Sequence, residues 1–86
     1  MKLKSDFIVH VSDGEALLVP TGASAFSGIV KGNKTFGAVL ELLKNETDEE
    51  SMISAMKNRF DAPPELISAD VRKAVSELRR IGAIDE

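Results

Sequence analysis

The chain has no cysteine, tryptophan or tyrosine, and only one histidine. Without cysteine there is no disulfide scaffold, no thiol nucleophile, and no cysteine-ligated iron–sulfur or zinc site. One histidine cannot build a histidine-rich metal centre. No stretch approaches the roughly 18 apolar residues of a membrane span. Met1-Lys2-Leu3-Lys4-Ser5-Asp6 leads into no long apolar segment, so neither a membrane partner nor a signal peptide is expected. Positive charge is also short. Lys and Arg number 11 against 14 Asp and Glu, a formal net charge of −3. A free-standing nucleic-acid binder usually carries the opposite balance.

The residues that are present make a globular chain. Its 86 residues are 43% hydrophobic and 29% charged, which suits one small domain. A chain this short buries only a little over about 60% of its unfolded surface. That favours a partner-binding module over a self-contained enzyme. A cysteine-free chain without a targeting segment is most simply placed in the cytoplasm.

The first third reads as sheet. Phe7, Val9 and Val11 alternate with Ile8, His10 and Ser12, the period of a strand. Asp13-Gly14 follows as a hairpin turn, because both residues tolerate positive φ. Ala16-Leu17-Leu18-Val19 reads as a second strand that Pro20 ends, since proline has no N–H to give to a ladder. Thr21-Gly22-Ala23-Ser24 is a small polar loop. Phe26 to Lys31 reads as a third short strand, supported by Ile29-Val30 and weakened by Gly28 and Gly32.

From Asn33 the period becomes helical. Asn33 or Thr35 can cap a first helix that places Phe36, Val39, Leu40 and Leu43 on one face and ends at Asn45-Glu46. Thr47-Asp48-Glu49-Glu50 reads as a capping box for a second helix that buries Met52, Ile53, Met56 and Phe60. Pro63-Pro64 opens a third helix running to about Ile81, with Ile67, Val71, Val75 and Leu78 inward and Ala74 beside them. Gly82 suits its C-terminal cap. The expected class is α+β: a three-stranded antiparallel sheet followed by a three-helix unit, winged helix-turn-helix-like, with residues 1–86 as a single domain.

The search for catalytic residues is nearly empty. His10 sits on a strand with no nucleophile or carboxylate grouped around it, so it reads as a surface histidine. Asp48-Glu49-Glu50 lies in a first helical turn, where the macrodipole favours negative charge. Gly28 and Gly32 match no phosphate-loop spacing. Neither a cofactor nor a metal site is indicated. Arg72, Lys73, Arg79 and Arg80 on the third helix allow a second reading, a small winged-helix DNA-binding regulator. Asp70, Glu65 and Glu77 interleave with them, and Glu77 can pair with Arg80 or Lys73, which favours a solvated, self-paired face.

Backbone chemistry is the other candidate. A small three-stranded sheet has edges, and an edge strand presents unpaired N–H and C=O groups. Ser27-Gly28-Ile29-Val30 holds no charge and no proline. Beside the third helix it would form a groove that takes an extended peptide as an added strand. The same edge also suits shielding by its own fold or a homodimer contact, and the residues do not decide among these.

The order and spacing of several segments resemble the PqqD family of small peptide-binding proteins. Met1 to Phe7 and Gly14-Glu15 through Val19-Pro20 resemble that family's first hairpin. Gly28-Ile29-Val30 with Asn33-Lys34-Thr35 resembles its third strand entering the first helix. Glu41-Leu42-Leu43, Thr47 to Glu50, Ala69-Asp70-Val71, Leu78 and Ile81-Gly82-Ala83-Ile84 resemble its helical part. The resemblance implies a non-enzymatic adaptor. It would bind the leader of a ribosomally made precursor peptide by strand addition and present it to a modifying enzyme, often a radical S-adenosylmethionine (radical SAM) enzyme. The implied site is Ser27, Gly28, Ile29, Val30 and Lys31 for pairing, with Ile67, Asp70, Val71, Ala74 and Leu78 as the facing wall. Three positions depart from the family pattern. Gly32 replaces an apolar residue, which raises the expectation of a looser or bulged strand end and a changed pairing register. Phe36-Gly37 replaces a common Gly-Ala pair, and Leu40 stands where tryptophan is frequent.

Overall fold

The computed structural model describes residues 1–21 and 28–86. In chain order the elements are β1 (Lys2–Leu3), β2 (Phe7–Ser12), β3 (Glu15–Pro20), β4 (Val30–Gly32), α1 (Lys34–Leu42), α2 (Glu49–Arg59), α3 (Pro64–Arg80) and β5 (Ile84–Asp85). The expected α+β arrangement is present: a three-stranded antiparallel sheet in the order β2-β3-β4, followed by three helices.

Asp13 and Gly14 carry φ of 48° and 78°. Two positive φ values make a type I′ turn, whose twist matches that of the strands it joins. The turn fixes the register, with Ser12 opposite Glu15 and Phe7 opposite Pro20. Phe7, Ala16 and Leu18 then share the inward face with Val9 and bury against the helices, while Ile8 and His10 stay exposed. β4 pairs with β3 through Val30↔Leu18, Lys31↔Leu17 and Gly32↔Ala16.

The third strand is shorter than its sequence indicates. It starts at Val30, while Gly28, at φ 122°, turns the chain before it. Phe26 and Ser27 lie outside the described residues. Gly32 causes no bulge; it pairs in regular register opposite Ala16.

Asn33 caps α1, its Oδ1 accepting the Phe36 N–H at 3.1 Å. α1 ends at Leu42, earlier than Asn45. The cap of α2 is Asp48 and not Thr47, with Asp48 Oδ1 accepting the Ser51 N–H at 2.7 Å. The Thr47 N–H is taken elsewhere, donating to the Met1 carbonyl at 2.9 Å. An aspartate next in line is as good a cap as threonine, so the helix starts one residue later. α3 ends as expected: Gly82 at φ 75° donates to the Arg79 carbonyl, and Ala83 to that of Leu78. These two bonds form a Schellman motif. It turns the chain into β5, which pairs with β1 through Leu3↔Ile84 and Lys2↔Asp85. No pattern in the sequence announces these two-residue strands.

One core joins the sheet to all three helices. Leu18, Leu40, Leu43, Met52, Met56, Val71, Val75 and Leu78 are fully buried within it. The cluster holds no buried polar side chain among the described residues.

Candidate functional site: an open sheet edge beside the last helix

The hairpin decides which main-chain groups are free. In a type I′ turn the Ser12 carbonyl accepts the Glu15 N–H, which makes Ser12↔Glu15 a hydrogen-bonded pair. Such pairs alternate along an antiparallel ladder. On β3, residues Glu15, Leu17 and Val19 therefore point their main-chain groups at β2. Ala16 and Leu18 point theirs at β4, where they meet Gly32 and Val30. Lys31 lies between those two pairs, so its N–H and C=O face away from the sheet. Among the described residues no strand pairs with that side of β4.

Beyond this edge lies a groove of about 380 Å³. Val30, Lys31 and Gly32 form one wall, and Asp70, Lys73, Ala74 and Glu77 of α3 form the other. Asn33, Thr35 and Phe36, at the start of α1, close the bottom. The α3 wall follows helical spacing: positions 70, 73, 74 and 77 share one stripe. The α3 wall holds one cation, Lys73, and two anions, Asp70 and Glu77, the latter paired with Arg80, while the Lys31 charge lies on the other face of the sheet, 4.0 Å from Glu15.

Phe36 and Gly32 are matched. A Cβ placed on Gly32 would lie 2.5 Å from both Cβ and Cγ of Phe36 and closer still to Cδ2. Carbon atoms need about 3.5–4.0 Å. The Phe36 side chain therefore lies across β4 where a side chain at position 32 would stand. The departure Phe36-Gly37 has a second packing reason. A Cβ on Gly37 would come within 3.2 Å of the Ala16 Cβ, so the glycine lets α1 approach β3 closely. Leu40 is fully buried and anchors the core in the place of a larger ring.

The structure brings only part of the expected wall to the groove. Asp70 and Ala74 line the groove, with Val30 and Lys31 opposite. Ile67, Val71 and Leu78 do not reach it; they point into the core, being 4%, 0% and 0% exposed. The 3.6-residue period separates these inward positions from the groove stripe. Gly28 and Ile29 are exposed just before the strand, and Ile29 is 62% exposed. Ser27 lies outside the described residues. Sequence reasoning missed Phe36, Lys73 and Glu77 as lining. The pattern places Phe36 on the core face of α1, where it does pack half-buried against the core, and Lys73 and Glu77 in solvent, where they are exposed; none of this points to the groove. The usable signal was Gly32 four residues before Phe36.

Two other surfaces compare poorly. A concavity of about 430 Å³ lies beside β2, lined by Lys2, Lys4 and Lys44 among others. Lysines beside an edge are the usual guard against strand addition. Nearby main-chain donors are already used, Leu3 N–H by the Leu43 carbonyl and Lys4 N–H by that of Ala83. Two of the four basic residues on α3 are already paired. Arg79 binds Glu86 at 2.7 Å and Arg80 binds Glu77 at 2.8 Å. A phosphate backbone would have to displace these carboxylates, which weakens the DNA reading. His10 is exposed on β2, on the face away from the core.

The fold defines the class first: a small α+β domain in which a hairpin and one short, open-edged strand sit on a three-helix unit. The chain belongs to the PqqD family, because the family model described as "Coenzyme PQQ synthesis protein D (PqqD)" matches residues 13–84. It is similar in fold to a solved structure described as "TbiB1 in Complex with the TbiA(beta) Leader Peptide". The TM-score is 0.73 at 16% identity, covering 99% of this chain and 100% of the other. No curated protein shows a significant match to the chain.

Proposed function

We propose that the chain is a non-enzymatic adaptor that binds the leader of a ribosomally made precursor peptide and presents it to a modifying enzyme. The observation that carries this reading is the outward-facing main chain of Lys31, set above a groove that α3 walls. Strand addition uses such an edge: main-chain bonds give affinity, and alternate side chains give specificity. Membership of the PqqD family supports the reading. So does the similarity to a protein whose solved form holds a leader peptide.

In this reading Lys31, with Gly28, Ile29 and Val30 leading into it, offers the pairing edge. Asp70 and Ala74 face it across the groove, joined by Phe36, Lys73 and Glu77. The enzyme partner is of the radical SAM class or another peptide-modifying class, and the complex works in the cytoplasm. The adaptor supplies proximity alone. Holding the leader near the enzyme turns the encounter of the core segment into a nearly intramolecular event, with effective concentrations in the mM range for short linkers.

The test is a titration of isotope-labelled chain with the leader segment of a precursor encoded beside it. Amide shifts should gather on residues 28–36 and 70–77. Shifts confined to α2 would reject the site. Binding of duplex DNA with a steep salt dependence would favour the regulator reading instead.

A further inference from the structure

We propose that Gly32 and Phe36 together set which peptide this groove takes: a strand carrying an apolar–x–apolar triplet, one apolar side chain of which lies opposite Gly32, on the Phe36 ring. The inference rests on the strand-addition reading and adds to it the class of segment and its register.

A strand laid antiparallel on β4 exchanges both main-chain bonds with Lys31, the outward-facing residue. One peptide residue then stands opposite Lys31, and its two neighbours stand opposite Val30 and Gly32. Residues directly opposite one another share a face of the sheet. The neighbours therefore point into the groove, on the side of Val30, Ala74 and Phe36. The central residue points with the Lys31 side chain, which is 73% exposed, to the open face of the sheet.

The two inward positions are unequal. One meets the Val30 side chain. The other meets the Phe36 side chain, which lies across Gly32 and fills the place a side chain there would take. The position opposite Gly32 therefore has an aromatic floor, which suits leucine, isoleucine or methionine. Charge contributes little selection, because Lys73 offsets Asp70 on the α3 wall and Glu77 is already paired with Arg80. The triplet is then chosen by its apolar side chains, and a charged residue in the seat on Phe36 loses its hydration for no partner.

The test uses three synthetic probes, Thr-Thr-Leu-Thr-Val-Thr-Thr and the same peptide with Ala or Glu in place of Leu, titrated into isotope-labelled chain. The Leu probe should shift the Lys31, Gly32 and Phe36 amides and bind about tenfold tighter than the Ala probe, the worth of seating a leucine side chain. Phe36→Ala should collapse that ratio to near unity. Phe36→Leu, which keeps an apolar floor, should preserve most of it and shows that the fold tolerates change at this position. An unchanged Leu-to-Ala ratio in Phe36→Ala, with the shifts still on β4, would overturn the seat and leave strand addition standing. A Glu probe equal to the Leu probe would overturn the apolar selection. Absence of any shift on β4 with all three probes would overturn the seat and the strand-addition reading together.

Discussion

Gly32→Ala isolates the contact on which the groove is built. Gly32 does not adopt positive φ, so the backbone itself accepts alanine. The obstacle is the Phe36 side chain, with Cβ and Cγ both 2.5 Å from the new methyl. Relief needs a separation about 1 Å greater. Turning the ring moves Cγ but leaves Cβ where α1 holds it. α1 cannot easily retreat, because Asn33 caps it and Gly37 packs against Ala16. Overpacking of this kind costs about 1–3 kcal/mol, a large share of the stability of so small a domain. The partner variant is Phe36→Gly, since alanine there would keep the offending Cβ. Its own cost, loss of the ring plus about 1 kcal/mol for glycine in a helix, cancels in a double-mutant cycle. In that background Gly32→Ala should be neutral or stabilising by about 0.4–1 kcal/mol, through the narrower unfolded ensemble. Urea unfolding followed by far-UV circular dichroism measures all four proteins, the chain having no tryptophan to report by fluorescence. An equal loss from Gly32→Ala in both backgrounds would refute the matched pair.

Proline scanning of β4 tests the ladder parity. Lys31→Pro removes an outward N–H, so the fold should survive while binding of the Leu probe falls about tenfold; Val30→Pro removes the N–H given to Leu18 and should lower the unfolding midpoint. Leu78→Ala should cost about 2–5 kcal/mol by opening a cavity, whereas exposed Glu77→Ala should stay within about 0.5 kcal/mol, both read by urea denaturation. Asp48 has its carboxyl held below the usual aspartate range, first by the hydrogen bond from the Ser51 N–H and then by the Ser51 side chain. The unfolded chain therefore binds the proton more readily, so the stability from this cap is present above the ordinary aspartate pKa and is lost as pH falls through the lowered one. Asp48→Asn, which keeps an acceptor but does not titrate, should flatten that acid limb in pH-dependent melts.

The core was readable because burial repeats at fixed periods. Phe7 and Leu18 follow the strand period, and Val71, Val75 and Leu78 the helical one, so their placement needed no tertiary knowledge. The Asp13-Gly14 turn and the Gly82 cap were readable because few residues accept positive φ. The groove was half readable for the same reason. Knowing that Val71 and Leu78 fill the core implies that positions 70, 73, 74 and 77 point elsewhere. What they face depends on where β4 lies, which no local pattern encodes. The cap of α2 failed at finer scale: Thr47 and Asp48 are both good caps, and the Thr47 N–H, which a capping box would give to Glu50, goes to the carbonyl of Met1, far off in sequence. The β1–β5 pair is longer-ranged still.

The length of the usable edge limits how firmly a leader is held. As it stands β4 offers one outward residue, Lys31, and hence two main-chain bonds worth about 0.5–1.5 kcal/mol each. Ile29 has the same ladder parity as Lys31 but precedes the strand, and Gly28 bends the chain just before it. A bound peptide that draws Ile29 into the ladder would double the number of bonds. With one apolar seat at about 1.5–3 kcal/mol, the gross gain becomes roughly 3.5–9 kcal/mol, before the cost of association. A 1 μM complex needs about 8.2 kcal/mol and a 1 mM complex about 4.1, so the second pair of bonds decides between weak and useful binding. Hydrogen exchange reads this directly. On adding a peptide long enough to span Ile29, its amide should slow together with that of Lys31, while a peptide ending opposite Val30 should protect Lys31 alone and bind more weakly. Equal affinity for the two peptides would show that the edge does not lengthen and that affinity comes from side chains.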